Sequence, residues 1–252
     1  MCYSTQQGKP LSELEKRFHA IAKLPDDLEA DDLTFYHANG FAHPVMCILP
    51  QENRKYLAPL MWGLIPYWES GKDYKEYYKK TIKYGSGLNA TSEKLFSSNM
   101  YRDSAMKRRC IVPVTGFFEP HTTPVKVKGK PFKVPFFFER KDREIVNLAG
   151  IYGFTNDGYA TFTILTKAAT PLFEKIHNTK KRRPVILHDK DVDVWLDNGL
   201  ERQDIEHLIG GDVPDKLLHA YPVSKDLYSP KADSNREDIT AEVAYDEIAI
   251  EY

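Results

Sequence analysis

Apolar and polar positions along the chain change period often, and few runs are long. Leu11, Leu14, Phe18, Ile21 and Ala22 recur at helical spacing and predict a helix over 11–23, with Ser12 and Glu15 spaced as a capping box. Residues 34–48 predict short strands interrupted by Asn39-Gly40 and Pro44, and 56–65 predict another that ends in Gly63-Leu64-Ile65-Pro66. Residues 72–83 are polar, rich in tyrosine, and read as a surface excursion. Residues 92–107 have helical character, whereas 110–118 are β-formers closed by Gly116. Residues 132–138 and 144–152 read as paired strands, and 160–166 follow the turn Thr155-Asn156-Asp157-Gly158. Two short helices are expected over 191–198 and 202–209. Many short strands with few scattered helices predict an α+β fold: a curved, pseudo-barrel, mostly antiparallel β core with short peripheral helices. No repeat, linker or composition break divides the chain, so 1–236 should form one domain, followed by an acidic tail over 237–252.

A chain of 252 residues can bury a sizeable core. No apolar run approaches the roughly 18–20 residues needed to span a bilayer. The start, Met1-Cys2-Tyr3-Ser4-Thr5-Gln6-Gln7, has neither the basic region nor the apolar core of a signal peptide. The expectation is a soluble, cytoplasmic protein with no membrane partner. A formal net charge of −1 argues against a generally basic nucleic-acid binder. That average hides an asymmetry. Six acids and no Lys or Arg lie between Glu237 and Tyr252, and without them the remainder carries +5. Basic clusters at Lys107-Arg108-Arg109, at Lys126, Lys128 and Lys130, and at Lys180-Lys181-Arg182-Arg183 each read as a solvated face, but together they allow an anionic partner.

Cys2, Cys47 and Cys110 are odd in number, widely spaced and without a CxxC pair, which excludes a disulfide framework or zinc site and gives no reason to expect a metal or other cofactor. Cys47 and Cys110 sit in apolar runs and read as small buried strand residues. Cys2 has no such setting. Removal of Met1, favoured by a small second residue, would leave Cys2 with an α-amine titrating at about 7.7–8.0 and a thiol at about 8.5. The amine can add to an aldehyde as a Schiff base, and the thiol can then close onto the imine carbon as a five-membered thiazolidine. Position alone still favours an incidental second residue.

The other motifs change that reading. Trp62-Gly63-Leu64-Ile65-Pro66-Tyr67-Trp68, Asn89-Ala90-Thr91-Ser92-Glu93 and Arg109-Cys110-Ile111-Val112-Pro113-Val114-Thr115-Gly116-Phe117-Phe118-Glu119 occur in that order. Ala149-Gly150-Ile151-Tyr152, Thr166-Lys167-Ala168-Ala169, His177-Asn178 and Arg182-Arg183-Pro184-Val185-Ile186-Leu187 follow. Together they resemble the SRAP family (SOS response-associated peptidase, or abasic-site processing protein) from Cys2 to about Ser224. The resemblance implies that Cys2, freed by self-removal of Met1, cross-links as a thiazolidine to abasic sites in single-stranded DNA and protects them during the damage response. It also implies lyase activity, a monomer, and a cytoplasmic, nucleoid-associated location. Asn89 would orient the sugar, Glu119 would shuttle a proton to or from the α-amine, and His177 would protonate the leaving ring oxygen. Trp62 and Trp68 would stack on flanking bases, and Thr91, Arg182 and Arg183 would line the DNA path, with Arg182 gripping a phosphate.

The chain departs from the family pattern in places. Tyr3 and Ser4 replace Gly-Arg, Thr91 replaces Arg, Pro120 replaces Trp and Arg183 replaces Met, and three residues are inserted between His177 and Arg182. These changes bear on the DNA path more than on the chemistry. The rival readings are an N-terminal-nucleophile amidohydrolase, a non-catalytic nucleic-acid binding module, and a peptidase acting only on its own Met1.

Overall fold

Strands buried on both faces explain why the apolar runs look continuous. In the computed structural model, which describes residues 2–248 and 250, Cys110, Val112 and Val114 pack into one core cluster and Ile111 into another. Met46 and Ile48 likewise oppose Cys47 and Leu49, and Leu148 opposes Ala149. Period-2 side chains that meet a core on each side leave no polar face to alternate with.

The first half of the chain forms β1 (Ser4–Gln7), α1 (Leu11–Phe18), β2 (Ile21–Ala22), β3 (Phe35–Asn39), β4 (Val45–Pro50), β5 (Tyr56–Trp62), α2 (Tyr74–Thr81), β6 (Asn89–Thr91) and α3 (Arg102–Lys107). Then come β7 (Arg109–Val114), β8 (Gly116–Val127), β9 (Lys130–Arg140), β10 (Val146–Phe154), β11 (Ala160–Ala168) and α4 (Pro171–Ile176). The remainder supplies β12 (Arg182–Pro184), β13 (Ile186–Leu187), α5 (Val192–Trp195), α6 (Arg202–Gly210) and β14 (Leu218–Pro222).

Strands β5, β4, β7, β10 and β11 pair in sequence, and β11 returns to β5 in parallel at Met61↔Thr161 and Trp62↔Phe162, closing a five-stranded barrel. A second, antiparallel sheet has the order β14-β9-β8-β1-β3. Where β7, β10 and β11 meet, a Cβ on Gly150 would lie 2.9 Å from both Cys110 Sγ and the Thr163 carbonyl, so only glycine fits. The expected α+β pseudo-barrel is observed. No helix among the described residues is long and apolar enough to cross a membrane.

Local expectations about the first helix and about the pairing of β9 with β10 change. The first helix stops at Phe18 because His19 turns left-handed (φ 50°) and Ala20 N donates to Glu15 O, so 19–23 is not helical. Pro10 precedes this helix without a side-chain cap, and Glu15 instead accepts from Ala22 N at 2.8 Å. Strands β9 and β10 do not pair with each other. β9 joins β8 and β14, whereas β10 lies in the barrel between β7 and β11. The acidic segment packs on the domain through residue 248: Ile239 is fully buried with Phe118, Phe137 and Val223, and Tyr245 Oη donates to the Val223 carbonyl.

Candidate active site

The register of β1 against β8 sets the site. Ser4 pairs with Phe118 and Thr5 with Phe117, so the chain continuing back to Cys2 runs beside Glu119. Cys2 is fully buried, in the same cluster as Trp62, Leu88 and Phe117, and its thiol donates to the Ser4 carbonyl at 3.7 Å. Burial, and then the charge of Glu119, push the Cys2 thiol well above its usual range. The same two causes raise Tyr3. Cys47 and Cys110 are buried strand residues as expected, and burial pushes Cys47 up to about 12.

Glu119 is fully buried on β8, and neither carboxylate oxygen has a hydrogen-bond partner among the described residues. Its neighbour is His177, whose Nδ1 lies 3.0 Å from Glu119 Oε2 and 3.0 Å from the Arg182 carbonyl. One N–H serves one of these well, and its line favours the carbonyl. A carbonyl only accepts, so Nδ1 carries the hydrogen and Nε2 is the nitrogen that gains or loses a proton. The carboxylate keeps its ion-pair contact with His177, and its charge also acts on Cys2.

His177 is held from three directions. It ends α4, where its N–H donates to Phe173 O at 2.7 Å. Phe173 stacks on Phe138 (4.5 Å) and Phe117 (6.0 Å), fixing α4 to the strand that carries Glu119. Next door, Asn178 Nδ2 donates to Thr122 O at 2.9 Å and its Oδ1 accepts from Thr122 N at 3.1 Å.

Asn89 opens β6, one residue after Leu88, whose carbonyl accepts from Trp62 Nε1 at 2.9 Å. Both polar atoms of its side chain are buried without a partner among the described residues. Strand β6 is seated by Gly87 (φ +67°), where an added Cβ would sit 2.2 Å from the Leu64 carbonyl. Cys2, Glu119 and His177 thus share one site, and Asn89 borders it through Leu88.

The residues expected to touch DNA divide differently. Trp62 is fully buried and stacked near Phe162 (6.3 Å), so it supports the site from beneath and offers no face to a base. Arg183 is also fully buried, paired with Asp212 (3.3 Å) and lying 4.7 Å from the Phe173 ring, because β12 turns it inward. Trp68 is exposed (47%) beside Tyr67. Thr91 is half-buried opposite Thr166. Arg182 is not a free cation: both terminal nitrogens bind Glu93, at 2.6 and 3.0 Å, and Nη2 also donates to Thr166 O at 2.8 Å. That pair holds the Glu93 carboxyl below its usual range.

Sequence reading passed over Tyr228. It lies just beyond the recognised motifs, and the fold brings it near Glu119 and Cys2; burial first, then the charge of Glu119, raises its phenol. The residue as a whole is 42% exposed. No local pattern marks such a residue. Shape alone does not mark the site either: a cavity of about 370 Å³ lined by Arg140, Asn147, His188 and Asp189 contains none of these residues.

A family model described as SOS response associated peptidase (SRAP) matches residues 1–230. The chain is 29% identical over 231 residues to the Bacillus subtilis abasic site processing protein YoqW, covering 86% of this chain and 96% of that one. It is 30% identical over 174 residues to the abasic site processing protein YMR114C of Saccharomyces cerevisiae, covering 67% of this chain and 43% of the yeast protein. A crystal structure of a protein from Bacteroides thetaiotaomicron superposes with a TM-score of 0.82 at 28% identity, covering 96% of this chain and all of that one. On these matches, the chain belongs to the SOS response associated peptidase (SRAP) family.

Proposed function

We propose that this protein captures abasic sites in single-stranded DNA as a covalent thiazolidine on Cys2, formed once Met1, which lies outside the described residues, has removed itself. The observation that carries the reading is a buried cysteine beside a buried carboxylate that has no hydrogen-bond partner among the described residues and lies 3.0 Å from a histidine nitrogen. A buried carboxylate without hydrogen bonds, set against a histidine, is costly and points to a site kept for a reaction.

The chemistry runs in two bond-forming steps. The Cys2 α-amine adds to the aldehyde carbon of the ring-opened sugar, and loss of one water gives the imine. The Cys2 sulfur then bonds to that carbon as its proton passes to nitrogen, so one water is released overall. Burial keeps the thiol protonated at neutral pH, which makes the amine the leading nucleophile and the sulfur the follower. Glu119 moves the amine proton, His177 delivers a proton to the departing ring oxygen through Nε2, and Asn89 orients the sugar with its uncommitted amide. The imine stage also opens a lyase route by β-elimination of the 3′ phosphate. Trp68 and Thr91 border the strand, and Arg182 joins it when Glu93 lets go. The protein acts as a monomer on nucleoid DNA in the cytoplasm.

The test is a denaturing gel of the mature protein incubated with a single-stranded oligonucleotide carrying one abasic site. A heat-stable adduct is expected from the wild type and none from Cys2→Ala; equal yields would falsify the assignment.

A further inference from the structure

The excursion over 72–87 plays no part in the chemistry above, yet it is firmly built. Asp157 accepts from Gly71 N (2.8 Å), Lys72 N (3.1 Å) and Ser70 Oγ (2.8 Å), clamping its entry. In the middle, Tyr78 is buried, donates to the Gly63 carbonyl, and stacks on His43 at 3.4 Å. At the exit, Ser86 Oγ donates to Tyr78 O at 3.2 Å. Tyr74, Tyr77 and Tyr78 therefore form the docked face of α2.

The exposed side of the excursion carries a row of lysines. Lys75, Lys79 and Lys83 recur every four residues, one stripe of a helix continued by the 3-10 turn Ile82–Tyr84. All three are exposed, and none joins an ion pair among the described residues. The stripe ends in two solvent-facing apolar side chains, Ile82 (59% exposed) and Tyr84 (79%), with Lys83 4.8 Å from the Tyr84 ring centre. It also ends beside Tyr3, the residue that follows Cys2: a carbon added at Gly85 would lie 3.4 Å from Tyr3 Oη, and Tyr3 in turn packs on exposed Phe41 at 4.9 Å.

We propose that the α2 excursion is a second strand-binding arm, on which Lys75, Lys79 and Lys83 track the phosphates of single-stranded DNA and Tyr84 stacks a base beside Tyr3. Spaced cations beside an exposed aromatic ring fit a flexible anionic chain with stackable faces, and the stripe's end beside Tyr3 gives that chain a destination. A protein of net charge −1 needs such a local cationic track to hold a polyanion. In this reading the arm supplies the grip that Arg182 and Arg183, committed to Glu93 and Asp212, do not.

The inference rests on DNA being the partner, so its test avoids the covalent step. Binding of an intact single-stranded oligonucleotide to Cys2→Ala protein is followed by fluorescence anisotropy across a salt series. In that background, Lys75→Glu/Lys79→Glu/Lys83→Glu should weaken binding at least about tenfold and reduce the salt slope by about 2, near 0.7 per lost phosphate contact. Tyr84→Ala should weaken binding several-fold with the slope unchanged, as loss of a stacked base requires. Lys126→Glu/Lys128→Glu/Lys130→Glu, the same charge change in the hairpin distant from Tyr3, should leave affinity within about twofold. Equal losses from both triple variants would reduce the effect to net charge and overturn the arm, as would no loss from the α2 set. Failure of the wild type to form an adduct with abasic DNA would remove the covalent reading while leaving this binding result standing.

Discussion

Asn178 is the place to test whether His177 acts through its position. The side chain makes two hydrogen bonds to the backbone of Thr122, at 2.9 and 3.1 Å, tying the histidine's loop to the strand that carries Glu119. Both are solvent-exposed, so Asn178→Ala should cost the low end of the usual range, about 1–2 kcal/mol for the pair. For a chain of this length that lowers Tm by roughly 2–8 °C. If the loss falls on the local ordering of His177, adduct formation slows by about 5–30-fold. The retained Arg182 carbonyl contact to Nδ1 and the Thr122–Thr179 hydroxyl contact (2.7 Å) favour the lower figure. The assay is a single-turnover adduct rate with saturating abasic oligonucleotide, alongside anisotropy on intact DNA. His177→Ala, which removes the proposed proton donor, should be slower still, and neither variant should lose non-covalent affinity. An Asn178→Ala protein with the lowered Tm but the wild-type rate would refute the positioning role.

Other expectations follow from the same geometry. Glu93→Gln should free Arg182, tighten binding of intact single-stranded DNA a few-fold and steepen its salt slope by about 0.7; an unchanged slope would confine Arg182 to holding the Thr166 carbonyl. Burial lowers His37 from 6.5 to about 4, so its contribution to stability is full above pH 6.5 and is lost as pH falls through about 4. That amounts to about 3 kcal/mol, and His37→Asn should flatten this limb of the stability curve measured by urea titration. Arg109 is fully buried and donates to the carbonyls of Ala105, Met106, Trp195 and Asp197. Arg109→Met orphans them and should cost roughly 4–6 kcal/mol, a fall in Tm of about 10–20 °C by calorimetry.

What the residue pattern determined by itself is local. The apolar runs around Cys47 and Cys110 specify buried strands, the glycines and prolines mark where strands stop, and the ordered motifs around Asn89, Glu119 and His177 carry the family resemblance, because those signals lie within a few consecutive residues. A run such as 110–118 does not encode which strand lies beside it. Only the folded chain decided that β9 joins β8 and β14 and that β11 closes the barrel on β5, a pairing that spans about a hundred residues. Charge behaves the same way. Arg182 and Arg183 look alike in a basic run, yet the extended backbone of β12 sends them to opposite sides. Arg183 is thereby buried against Asp212, and Arg182 is drawn to Glu93, which lies 89 positions away. Burial and ion pairing depend on partners brought together by the sheet, and the local sequence does not name them.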